Sequence, residues 1–151
     1  MNRNRRHLLR AAGALAFASA FPRLGLAGPF DSIQIDPGTK ILKQATVVVP
    51  AAAGGTDGVI GSEIVIAGRG YFGVDFVVQG QKELTLLLVT QSQRNAMAAG
   101  RPLSGDPLVR IPIDGTASHT TRLTSGRYHM FFLNSDSSPT QVIYRTSLQA
   151  F

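Results

Sequence analysis

Cysteine and tryptophan are both absent from this chain of 151 residues. Without cysteine there can be no disulfide, no thiolate metal ligand, no thiol nucleophile and no lipid-modified cysteine anchor. Charge is sparse, at 16% Asp, Glu, Lys and Arg against 44% hydrophobic residues. No apolar run reaches the roughly 18 residues that a membrane-spanning helix needs. Acids are missing from one stretch in particular. Residues 1–27 hold Arg3, Arg5, Arg6, Arg10 and Arg23 and no Asp or Glu, so most of the net charge of +6 sits there. Residues 28–151 carry ten Lys or Arg against nine Asp or Glu. That balance leaves no basic field to attract nucleic acid.

What the first 27 residues do have is order. A positive stretch from Arg3 to Arg10 precedes an apolar one from Ala11 to Phe21 (AAGALAFASAF). The apolar stretch is too short to cross a hydrocarbon core of roughly 30 Å. Gly25-Leu26-Ala27 then gives the small-residue end of a cleavage site. The expectation is an export signal over 1–27, cut between Ala27 and Gly28, and a product in the periplasm or outside a bacterial cell with no membrane span. Asn4-Arg5-Arg6-His7-Leu8-Leu9-Arg10 resembles the twin-arginine motif, with Arg5, Arg6, Leu8 and Leu9 at its defining positions. Asn4 stands where Ser or Thr is usual. The resemblance implies the twin-arginine translocase and signal peptidase as partners during export. Arginine pairs also occur in ordinary signals, so the general secretory route is the alternative.

The remainder reads as all-β. Residues 28–39 are polar and turn-rich, with Asp36-Pro37-Gly38 as a turn signal, and are expected to form a loose arm. Strand-like runs follow at 40–49, 59–67, 71–78, 83–90, 108–113, 127–133 and 141–149. Several alternate with the period of two of a half-buried strand. Phe72, Val74, Phe76 and Val78 share one face, and Tyr71, Gly73, Asp75 and Val77 the other. Leu84 to Val89 is apolar on both faces and suits a central strand. Pro112 cannot donate to a ladder and marks 108–113 as an edge. Ser92 to Ala99 is rich in helix formers, with Ser92 as cap, Gly100 as terminator and Pro102 blocking extension. The expected architecture is a single antiparallel, jelly-roll-like β-sandwich over 40–151, of about seven to eight strands with one short helix near 92–99.

Three pieces together resemble a known group. They are Leu84–Gln93 (LTLLLVTQSQ) running into the helix, the Asp114-Gly115-Thr116-Ala117-Ser118 turn, and Leu123-Thr124-Ser125-Gly126-Arg127-Tyr128 with Asn134 and Val142-Ile143-Tyr144. Over about 58–149 the chain resembles GOLD-like domains and bacterial pre-peptidase C-terminal domains. The resemblance implies a β-sandwich that is an accessory or binding unit without a shared active site. In physical terms, Gly126 permits a tight hairpin turn, Tyr128 starts a core strand and Asn134 bonds backbone at the exit. His129 falls on the opposite, solvent-facing side.

No catalytic, metal or cofactor site emerges. Gly54-Gly55-Thr56-Asp57-Gly58 lacks the Lys of a phosphate loop and reads as a turn. His119 and His129, with Asp114 or Glu63, have no metal-ligand spacing, and a copper electron-transfer site would need the missing thiolate. No G-x-S-x-G elbow and no paired carboxylates appear. With no Trp, and most Phe and Tyr at core positions, a carbohydrate face is disfavoured. The leading expectation is a non-enzymatic exported module of the periplasm that binds a protein or small ligand or acts as an accessory to an exported partner. The alternatives are a periplasmic enzyme or metal protein with a site assembled from distant residues, and a structural subunit of a surface assembly. The last would show an exposed apolar face at Ile143, or at Phe131 and Leu133.

Replacing Arg5 and Arg6 together by Lys is expected to hold the precursor in the cytoplasm, as read by cell fractionation. Normal export of that double variant, or export from cells without the twin-arginine translocase, would show that the chain takes the general route.

Overall fold

A computed structural model describes residues 30, 38–80 and 82–151. The expected export segment, the expected Ala27–Gly28 cut and most of the expected arm lie outside those residues. Eight strands and one helix follow in order: β1 (Thr39–Val49), β2 (Gly58–Ile66), β3 (Gly70–Val78), β4 (Leu84–Thr90), α1 (Gln91–Ala98), β5 (Val109–Ile113), β6 (Thr116–Leu123), β7 (Gly126–Asn134) and β8 (Thr140–Ala150). They form two four-stranded sheets, β1-β8-β3-β6 and β2-β7-β4-β5. Every pairing is antiparallel. This interleaved order, with consecutive strands alternating between sheets at most connections, is that of an eight-stranded jelly roll.

The period-two alternation explains why the two sheets face each other. Phe72, Val74, Phe76 and Val78 of β3 and Val142 and Tyr144 of β8 enter the interior from one sheet. Leu84, Leu86 and Leu88 of β4 and Tyr128, Met130 and Phe132 of β7 enter from the other. Phe132 meets Tyr144 across the gap, with ring centroids 5.3 Å apart. As Pro112 demands, β5 is an edge, and β4 lies between β5 and β7.

Four local expectations are corrected. The first is β6, where the sequence predicts a turn at 114–118 and no strand beyond it. Its residues (TASHTTRL) are small and polar, and as an exposed edge strand it needs no apolar face of its own. The turn is confined to Asp114 and Gly115, the latter at φ +54°. Second, the helix starts at Gln91 and is capped by Thr90, not Ser92. Thr90 Oγ1 accepts from the Gln93 amide, and Gln93 Oε1 accepts in return from the Thr90 amide, a capping box.

Third, the segment 123–128 is not a hairpin. It carries the chain from β6 in one sheet to β7 in the other. Gly126 takes φ +156°, where a branched side chain is strained. The Tyr128 hydroxyl then donates to the Thr124 carbonyl at 2.8 Å, four residues back. A tyrosine closing an inter-sheet corner in this way is a device of Greek-key sandwiches. Fourth, Ile143 is not exposed. It is buried on the outer side of its sheet, as are Leu87 and Val89 on theirs. Asn134 bonds backbone as expected: its Nδ2 donates to the carbonyls of Pro50 and Ser138, and its Oδ1 accepts from the Asp136 amide.

The corner makes a graded forecast. Tyr128→Phe should cost about 1 kcal/mol, the size of one hydrogen bond. Tyr128→Ala should cost roughly 3 kcal/mol through loss of a buried ring. Gly126→Val should exceed the roughly 0.5 kcal/mol of a surface change. Denaturant melts measure all three, and a phenylalanine variant as stable as the parent would remove the corner bond from the account.

Candidate functional site

The outer face of the β1-β8-β3-β6 sheet is organised in rows fixed by strand register. In one row Gln44, Arg145, Asp75 and Ser118 lie side by side across all four strands. Arg145 donates from Nε and Nη2 to Asp75 Oδ2 at 2.8 and 2.6 Å, and Ser118 Oγ donates to Oδ1 at 2.6 Å. Both charged residues are buried. Phe30, from the stretch expected to be loose, is itself buried, and its ring lies over the guanidinium with 5.1 Å from Cζ to centroid.

Two residues along each strand comes Gly73, flanked by Ser147 and Thr120. A Cβ at position 73 would stand 2.8 Å from Ser147 Oγ and 4.0 Å from Thr120 Oγ1, so two hydroxyls gather over the missing side chain. A further two residues bring Tyr71, Gln149 and Arg122 into line. Here the surface turns aromatic and cationic. Tyr71 and Phe151 are 46% and 48% exposed, whereas the other aromatics among the described residues are buried or half-buried. Their centroids are 5.1 Å apart. The Arg122 guanidinium stands 4.5 Å and that of Arg69 5.9 Å from the centre of the Phe151 ring. Among the described residues neither arginine has an acidic partner, whereas Arg127 and Arg145 do.

The outer face of the other sheet is covered in part by the chain itself, while Val59 and Val65 of β2 stand exposed on it. Helix α1 contacts β4 and β7. His129, expected to face solvent, is buried, and this is a further correction. Gln91 Nε2 donates to Asn95 Oδ1, which turns Gln91 Oε1 toward His129 Nε2 at 2.7 Å, so the imidazole donates from that nitrogen. Phe131 is half-buried beside it, ring centroids 6.4 Å apart. Burial, and then the charge of Arg94, hold the His129 pKa below its ordinary value; Arg127 adds to this and Glu63 opposes it.

His129 bonds to an amide, and among the described residues His119 bonds no hydroxyl or carboxylate. No three His, Asp or Glu residues come together there. Asp114 and Glu63 stand apart, Glu63 being paired with Arg127 at 2.8 Å. The Gly54–Gly58 run is a turn closed by Ala53 and Thr56, which exchange backbone bonds of 3.0 Å. Lys82 is buried with Nζ on the Ser138 carbonyl at 2.7 Å and on Asp136 at 3.0 Å, and ties down the β7–β8 loop. Arg5, Arg6, Leu8, Leu9, Ala27 and Gly28 lie outside the described residues. No helix among the described residues is long and apolar enough to cross a membrane.

No family model and no curated protein matches the chain. Solved structures do. The chain is similar to the pre-peptidase C-terminal domain of a collagenase from Bacillus anthracis, at 10% identity and TM-score 0.48, over 68% of this chain and 88% of that one. It is also similar to the CBM36-1 domain of a multidomain xylanase from the hindgut metagenome of Trinervitermes trinervoides, at 5% identity and TM-score 0.37, over 75% and 90%. A carbohydrate-binding module CBM36 in complex with calcium and xylotriose gives 9% and 0.33, over 72% and 91%. What the surface of this chain does has to come from its own residues.

The lowered pKa of His129 has a consequence for stability. The unfolded chain takes up this proton near pH 6.5 and the folded chain resists it, so stability is present above about pH 6.5 and falls as pH drops below it. His129→Gln should flatten that loss between pH 7 and 5. An equal slope in parent and variant melts would mean that His129 does not carry it.

Proposed function

We propose that this chain is exported by the twin-arginine route, is cut between Ala27 and Gly28, and works outside the cytoplasm as a non-catalytic binding module. Its contact surface is the outer face of the β1-β8-β3-β6 sheet around Tyr71 and Phe151. The observation that carries this reading is the pair of half-exposed rings bracketed by two arginines that, among the described residues, have no acidic partner. An exposed ring sacrifices apolar burial, and an unpaired arginine stacked on it is held ready without being neutralised. Both features suit contact with something outside the fold. Strands β3 and β6 give Tyr71 and Arg122 a rigid base, so few degrees of freedom are lost there on binding.

The export half of the reading rests on the acid-free, three-part order of residues 1–27. It is supported by the near balance of charge in the rest of the chain, which separates the leader's basicity from any role of the domain.

Retention of the exported protein by its own cell-envelope material tests the surface. Tyr71→Ala with Phe151→Ala should lower retention at least several-fold while the melting temperature stays within a degree or two, since both rings are open to water. Undiminished retention would place the contact surface elsewhere, and a large loss of stability would make these rings structural.

A further inference from the structure

From the same surface, and against the expectation drawn from the absence of Trp, we infer that the ligand is a polysaccharide carrying carboxylates on its sugar rings, since Tyr71 and Phe151 supply the open rings. This rests on the reading of the Tyr71 face as the contact surface and names what that face would recognise.

Three features stand along the strands in sequence. The first is the aromatic and cationic group of Tyr71, Phe151, Arg122 and Arg69. The second is the place of the missing side chain at Gly73, with the hydroxyls of Ser147 and Thr120 gathered over it. The third is the buried Asp75–Arg145 row under Phe30, whose charges are already satisfied. Only the first two are open. At about 3.3 Å per residue, from Tyr71 past Gly73 to the edge of the covered row is on the order of 10 Å, a length suited to a short run of sugar rings.

Each open feature answers a different part of such a ligand. The C–H face of a pyranose is apolar and packs on an aromatic ring, while its rim of hydroxyls needs partners. Ser147 and Thr120 can both donate and accept, as sugar hydroxyls do. Neutral sugars would leave Arg122 and Arg69 without a task. A ring carboxylate fits the guanidinium fork and supplies the charge that no acid of the described fold provides. An acidic peptide would satisfy the arginines but has no use for open rings beside two hydroxyls. Recognition here needs both the ring and the charge on one ligand.

Calorimetric titration of the exported protein with tetragalacturonate, with its methyl ester and with a glutamate tetrapeptide separates these contributions. The free acid should bind at least about tenfold more tightly than the ester, which keeps the rings and removes the charge. The peptide, which keeps the charge and removes the rings, should bind no better than the ester. Arg122→Gln should abolish the preference for acid over ester, Tyr71→Ala should weaken both, and Arg110→Ala, on the other sheet, should change neither. Equal affinity for acid and ester would overturn the inference, and so would binding of the peptide as tightly as the sugar acid, or a loss in Arg110→Ala equal to that in Arg122→Gln. Failure to bind tetragalacturonate, with Tyr71-dependent retention by the envelope preserved, would overturn the ligand class alone. Loss of both would overturn the surface as well.

Discussion

Two four-stranded sheets with no covalent cross-link stay together through the side chains they bury between them. In this chain that task falls on the central strands: β8 and β3 of one sheet, β7 and β4 of the other. Each sends every second residue inward, and the contact of Phe132 with Tyr144 joins the two halves. Alternation also fixes register. A slip of one residue in β3 or β8 would bring Asp75 or Arg145 into the apolar interior and put phenylalanine or tyrosine on the outer face. The interior thus determines where every outward side chain stands, including those with no part in packing.

The buried Asp75–Arg145 pair follows from that placement. Desolvation of two charges offsets much of their attraction, so such a pair is a modest stabiliser, although loss of one partner is costly. Its clearer effect is spatial. It draws Ser118 from β6 and the ring of Phe30 onto one stretch of the sheet. That stretch is thereby filled, and the neighbouring rows at Gly73 and Tyr71 are left open. On the opposite sheet α1 does the covering, with Leu87, Val89 and His129 buried on that side.

The strands with strong alternation were legible in the sequence because burial on one face leaves a period of two. β3, β5, β7 and β8 lie within a residue or so of where that period puts them, and β4 is central as its two apolar faces require. β6 was not legible, because an edge strand of Ser, Thr and His carries no burial signal. That omission also hid Arg122. The cap was misplaced by two residues because Thr90 serves both as the end of β4 and as the start of α1. Tyr71 was assigned to the face away from the Phe72 row, so its exposure could be read. Its neighbours could not, since Arg69, Arg122 and Phe151 come from separate parts of the chain and meet only through the pairing of β3 with β6 and β8. His129 illustrates the reverse case. Alternation put it on the outer face, but only the packed helix reveals that this part of the face is covered.

The two outer faces therefore differ in what they leave available. Where α1 lies, polar groups are turned inward on each other, as Gln91 is on His129 and Asn95, and little remains for a partner. Where Phe30 lies, the ion pair beneath it is complete. Around Tyr71 the opposite holds: two guanidiniums have rings to stack on but, among the described residues, no acidic side chain at ion-pair distance, and two hydroxyls crowd the place of a missing side chain. A fold that needed those groups for its own stability would have paired the arginines, as it paired Arg145 and Arg127, or turned the rings inward, as it turned Phe72 and Tyr144. Tyr71 and Arg122 stand on strands with Arg69 and Phe151 at their ends, and the stacking of open rings on guanidiniums is the ground of the proposed contact surface.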